Sequence, residues 1–158
     1  MQLRLFTRVG LTLLAAAHLE VARRHGLAHA ALGVALNDIQ RGFVDVIVVA
    51  GPIVCAAGIW TRRRRIFLWF FAGSMLASAV FGIFYHYLWI SPDNVTCLPT
   101  GLVDERQRFI TSAGVLTVID LGAALAAGWL LSKPLIPEPN SQEDNPSQGR
   151  GGPNRQSG

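Results

Sequence analysis

The sequence predicts an all-α fold, a four-helix transmembrane bundle followed by a disordered C-terminal tail, and three observations carry that prediction. Hydrophobic residues make up 51% of the chain and charged residues only 15%, against roughly 25% charged in a soluble domain. The apolar residues gather in stretches long enough to cross a bilayer, and 158 residues with a polar end leave room for about four spans of roughly 20 residues and for no separate globular domain. Four consecutive arginines at 62–65 separate two of these stretches, and a basic turn of that kind stays on the cytoplasmic side during insertion.

The first span is read at 5–22, with Arg4 and Arg8 before it and Arg23 and Arg24 behind it. The same segment also reads as a secretory signal, because the apolar run from Val9 follows two arginines and Ala15, Ala16 and Ala17 would form a cleavage site. His18 and Glu20 directly behind that site favour a retained span. The apolar stretch 27–36 is too short to cross and is expected along the outer interface or dipping back into the bundle.

Asn37 and Asp38 are N-cap residues whose oxygens suit the start of the second span, and an acid there complements the helix dipole. The apolar part of that span is 43–60. Pro52, behind Gly51, removes one backbone donor and strips the carbonyl of Val48 of its usual partner, which predicts a kink. The third span, 66–90, exceeds the hydrocarbon thickness and is expected to tilt before Ser91 and Pro92 stop it. The fourth span, 109–131, ends at Lys133 and Pro134. Residues 134–158 are rich in Pro, Gly, Ser, Asn and Gln, a composition that cannot offset the entropy of ordering.

With the 62–65 turn inside, both termini are cytoplasmic and the chain is integral to a bacterial inner (plasma) membrane. Arg23, Arg24, Arg41, Arg106 and Arg108 then fall outside, each near an acid. Trp60, Trp69 and Trp129 mark the inner boundary, and Tyr85, Tyr87 and Trp89 the outer one. The formal charge of +4 sits at helix ends and in the tail, which points to membrane lipid as the partner and away from nucleic acid. Cys55 and Cys97 form no CxxC motif and no disulfide framework.

Helices in lipid associate by close backbone approach and interhelical polar contacts. Small-residue stripes supply this through Ser74, Ser78 and Gly82 with Gly73 and Ala77 in the third span, and through Gly122 with Ala126 and Ala124 with Gly128 in the fourth. The same stripes suit a homo-oligomer or a larger membrane complex.

Ionisable groups within spans cost roughly 2.5 to 3.5 kcal/mol at the centre and usually face the bundle interior or a water-filled cavity. Asp120 lies near the midplane on a small-residue face, with Cys55 and Ser78 at similar depth, and reads as a proton or cation relay or as an acid bonded to Thr117 or Ser78. His18 and His86 are read as level with each other near the outer ends of their spans. With Asp45 and Glu20 they form a candidate relay or metal set suited to zinc, copper or iron. The alternative for these acids is local pairing, Glu20 with Arg24 and Arg41 with Asp45. His25 and His29 also share i, i+4 spacing, but Gly26 between them weakens the helix that would present them.

The outer loop 91–108 is turn-rich. Asp93 there either caps a turn or approaches His86, with the turn favoured. Asn94, Val95 and Thr96 match a glycosylation acceptor, without meaning in a chain that reads as bacterial from its Ala, Gly and Arg usage.

The stretch FGIFYHYLWISPDNV at 81–95, with the helix around 111–120, resembles small bacterial four-span membrane proteins of unassigned activity that carry a histidine just before a Pro-Asp turn. That resemblance implies architecture and no catalytic residue. In size and span count the chain is also similar to DoxX-like proteins, which would imply a redox-associated subunit, although no motif matches. Two function classes follow. The first, which the sequence favours, is an accessory subunit or small transporter with a polar His/acid cluster near the outer face. The second is a membrane oxidoreductase component that binds metal, haem or quinone through His18 and His86.

Overall fold

The computed structural model describes residues 5–100 and 102–133. Arg4 and the expected tail lie outside them. Four helices account for the described chain, each long and apolar enough to cross a membrane: α1 (Leu5–Ala31), α2 (Asp38–Gly58), α3 (Arg64–Leu88) and α4 (Val103–Ser132). No strand occurs among the described residues.

α1 continues unbroken through Arg23, Arg24 and Gly26, well past the expected end at 22. Glu20 explains the continuation, because it accepts from Arg23 Nε at 2.9 Å and Arg24 Nε at 2.7 Å and so partly neutralises both arginines where they stand. The stretch expected on the interface therefore begins as the last turn of α1. Gly33 then reverses the chain with φ of +68°, a left-handed geometry that favours glycine.

α2 opens as its sequence dictates. Asn37 Oδ1 accepts from Gln40 N and Gln40 Oε1 accepts from Asn37 N, each at 2.9 Å, a reciprocal cap. The helix widens to π geometry over Val44–Ala50, directly before Gly51 and Pro52. Gly51 N donates to the Val46 carbonyl, which diverts that donor from Ile47, and Pro52 has no N–H for Val48. Side chains of other helices reach both carbonyls: Ser74 Oγ donates to Ile47 at 2.6 Å and His18 Nε2 to Val48 at 2.8 Å. Gly51 is required for this approach, since a Cβ there would collide with Ser74 Oγ.

α3 ends in a second π segment, Phe84–Leu88, closed by Trp89 N donating to the Phe84 carbonyl at 2.7 Å. π turns are uncommon and frequent at functional sites; this one carries His86. α4 starts earlier than expected, with Asp104 and Glu105 in its first turn where they complement the dipole.

α4 packs along both α3 and α1, α3 packs along α2, and α1 meets α2 chiefly over the half of α2 that follows the π segment. One apolar core, built from Leu11, Ile59, Leu68, Phe71, Met75, Ala123 and Ala127, fills the half of the bundle nearest the arginine turn. A second, with Ala28, Leu32, Val34, Leu98 and Phe109, caps the opposite end. The face of α4 that packs is Ala113, Asp120, Ala123 and Ala127; of the expected fourth-span stripes, Gly122, Ala126 and Gly128 are exposed and Ala124 alone is half-buried against the core. The side chains of Trp60, Trp69, Trp129 and Trp89 are exposed on the outside of the bundle.

Candidate metal centre

The longer α1 changes which histidines share a level. Counted from Ala31, His18 lies about 20 Å below the end of its helix, and His25 and His29 take the place beside His86 expected for it. The expected His18 and His86 pair is therefore two separate sites. Glu20 belongs to neither, being paired with Arg23 and Arg24 at the surface, and Asp45 is exposed.

The first site joins α1, α3 and α4 near the middle of the bundle. His18 Nδ1 lies 2.5 Å from Asp120 Oδ1, and Ser78 Oγ donates to Asp120 Oδ2 at 2.5 Å. Both ring nitrogens of His18 face acceptors, Val48 on one side and Asp120 on the other. The Val48 carbonyl requires a proton on Nε2, so the remaining proton sits on the bond between Nδ1 and the carboxylate and the pair is neutral as a unit. His18 and Asp120 are 0% and 1% exposed. Asp120 meets Ser78 as one reading expected, while Thr117 instead donates to the Ala113 carbonyl at 2.9 Å.

The second site lies at the end of the bundle away from the arginine turn. His25 and His29 share one face of α1 despite Gly26, because neighbouring turns keep the helix intact. His25 Nε2 stands 3.1 Å from both His86 Nε2 and His29 Nε2. All three imidazoles are buried, with one nitrogen of each within 4.8 Å of the others.

The outer partners assign the proton on each ring. Ser112 donates its own hydrogen to the Arg108 and Phe109 carbonyls, so its oxygen accepts from His25 Nδ1 at 2.9 Å. His29 Nδ1 donates to the Val34 carbonyl at 3.3 Å, and His86 Nδ1 to the Asp93 carbonyl at 3.1 Å. Each neutral ring thus carries its hydrogen on Nδ1, and three Nε2 lone pairs converge with no proton between them. Convergent lone pairs repel unless a cation joins them. Backbone or hydroxyl acceptors behind each ring are also what orients histidine ligands in metal sites.

Asp93 adds a carboxyl group to this set. Oδ1 lies 3.2 Å from His29 Nε2 and 3.3 Å from His86 Nδ1, yet neither carboxylate oxygen, both buried, has a hydrogen-bond partner. The His86 hydrogen is directed at the Asp93 carbonyl and His29 Nε2 has none to give. Asn94, and not Asp93, shapes the turn: its side chain donates to the Trp89 carbonyl at 3.0 Å and accepts from Thr96 N at 3.0 Å and Thr96 Oγ1 at 2.7 Å. Val95 N donates to the His86 carbonyl at 3.0 Å and ties the loop to α3.

Phe109 seals the site, its ring centroid 4.6, 4.7 and 5.2 Å from those of His25, His29 and His86. Asp93 also lines an open vestibule with Asn37, Gln40, Tyr85, Trp89 and Ser91. On the inner side, a cavity of about 180 Å³ runs from His25, His29, His86 and Asp93 to Ser78, Thr117 and Asp120.

Tetrahedral nitrogen ligands at 2.0–2.1 Å from zinc stand about 3.3 Å apart, close to the two 3.1 Å separations between Nε2 atoms. The third pair, His29 and His86, is bounded only within 4.8 Å, so an imidazole-ligated divalent ion such as zinc, copper, iron or nickel would be held after these two rings close on it. The ring set does not fit haem, since a porphyrin would have to pass between nitrogens in near contact. No protein-family model, curated protein or solved structure matches the chain.

Proposed function

We propose that this protein is an integral membrane metalloprotein in which His25, His29 and His86 hold one divalent transition-metal ion, with the Asp93 carboxylate beside the ion but not ligating it. The observation that carries this reading is the convergence of three Nε2 atoms, each ring backed by an acceptor at Nδ1, beside a buried carboxylate that lacks hydrogen bonds. Three histidine ligands leave a coordination position open, the arrangement of sites that act on a small molecule rather than staple a fold. The metal-binding oxidoreductase component is therefore favoured over a subunit whose polar groups serve packing alone, and with a different ligand set from the His18 and His86 pair.

The bacterial inner membrane is the proposed location. The 62–65 arginines support an orientation with their end of the bundle and both termini on the cytoplasmic side and the metal site toward the outer face. The ion would supply Lewis-acid or redox chemistry when bound. Ser112, Val34 and Asp93 hold the ring tautomers, Phe109 excludes water, and the vestibule over Asp93 admits the ion.

Elemental analysis of detergent-purified protein tests this directly. About one divalent ion per chain is expected, retained in His18→Ala and lost in His25→Ala/His29→Ala. Metal-free protein that takes up no ion on titration would overturn it.

A further inference from the structure

The metal reading accounts for one end of the inner cavity and leaves its other end unused. At about 180 Å³ the space is comparable to an engineered apolar cavity of about 150 Å³ that stays dry and admits benzene. Between its ends the wall is apolar, formed by Val44, Ala79, Phe81, Ala113 and Leu116, so water finds few partners there.

The inner end is polar in one sense only. Ser78 Oγ donates to Asp120, Thr117 Oγ1 donates to the Ala113 carbonyl, and the His18 proton lies on the bond to Asp120. With those hydrogens committed, Ser78, Thr117 and Asp120 present lone pairs to the cavity, which accept a hydroxyl hydrogen and offer nothing to a carbonyl.

The mouth is at Gly26, the one exposed residue of the lining. No atom lies within 4 Å of the place a Cβ would occupy there. Gly26 stands roughly 8 Å below the end of α1, which makes little contact with the first half of α2. The opening therefore faces sideways, just beyond the exposed Arg23 and Arg24, at the level of the membrane–water interface.

We infer that the cavity is a binding site for a single-ring aromatic alcohol of the phenol class, which enters from the membrane interface at Gly26 and donates its hydroxyl hydrogen to the Ser78 and Asp120 end. Ring size follows from the volume, the apolar body from the walls, and the single donor from the committed hydrogens. The site adjoins the metal centre but does not depend on it.

Calorimetric titration of metal-stripped, detergent-purified protein with phenol and with benzene tests the inference, empty micelles supplying the partition baseline. One saturable phenol site per chain is expected, with benzene about three- to tenfold weaker for want of one neutral hydrogen bond. Gly26→Leu should abolish saturable binding with a thermal midpoint no lower than the parent's, since position 26 is exposed and leucine favours the helix more than glycine does, and Ala22→Phe provides a second block at the same mouth. Phenol uptake no greater than that of empty micelles, or parent-like binding by both blocked variants, would overturn the inference. Cobalt titration of the same samples separates the two sites: cobalt binding without phenol binding defeats this inference alone, and phenol binding without cobalt binding defeats the metal reading alone.

Discussion

His18 donates from Nε2 to the carbonyl of Val48 at 2.8 Å, the carbonyl that Pro52 cannot serve from within its own helix. A proline that weakens α2 is thus matched by a histidine on α1, and the hydrogen bond that holds the two helices together also fixes the proton on the ring that meets Asp120.

This relationship predicts a specific non-additivity. Pro52→Ala supplies an N–H that can take up the Val48 carbonyl, so His18→Leu should cost about 1 kcal/mol less in the Pro52→Ala background than in the parent. Unfolding in detergent measures both. Equal costs in the two backgrounds would show that the carbonyl gains nothing from His18.

The pair of His18 and Asp120 should behave as a unit. Interhelical hydrogen bonds in membranes average only about 0.6 kcal/mol, but removing one partner of a buried pair strands the other at about 3 to 5 kcal/mol. His18→Leu and Asp120→Leu should each destabilise strongly, and the double variant less than the sum. The cross-combination of His18→Leu with His86→Leu should be additive, because the two histidines occupy different sites. Strong coupling between His18 and His86 would contradict the separation.

Much of the scaffold was legible in the sequence because local chemistry dictates it. Asn37 capped its helix, Pro52 disturbed α2 and left Val48 needing a donor, and the small face around Asp120 turned inward to Ser78. The site was harder to read for two physical reasons. Arg23 and Arg24 look like a span terminus until Glu20 partly neutralises them, and the resulting nine-residue error in helix length exchanged His18 for His25 and His29 beside His86. Asp93 looks like a turn residue because its type forms turns, and only the fold shows Asn94 filling that role. Convergence across α1, α3 and the loop is a tertiary property that spacing along one helix does not carry.

Ser112 touches no metal ligand position directly, yet it holds the hydrogen on His25 Nδ1. Ser112→Ala should weaken metal binding by about 10- to 100-fold, the usual effect of removing a partner behind a ligating histidine, with little change in helical content. Competition titration against a chelating dye reads this. Unchanged affinity would mean that His25 is held by packing alone.

Reporter fusions after Lys133 and after Thr100 should report opposite sides of the membrane, Lys133 inside, because the arginine turn resists translocation. The same side for both would remove the four-span topology, and an outside signal at Lys133 would invert it and place the histidine centre in the cytoplasm.

X-ray absorption of the zinc-loaded protein tests the central claim most directly. A first shell containing about three imidazole nitrogens at 2.0–2.1 Å, with the multiple-scattering pattern of histidine rings, is predicted, falling to about two in His25→Ala and remaining at about three in His18→Ala. A shell of oxygen alone, a sulfur contribution, or an imidazole count that His25→Ala leaves unchanged would contradict it.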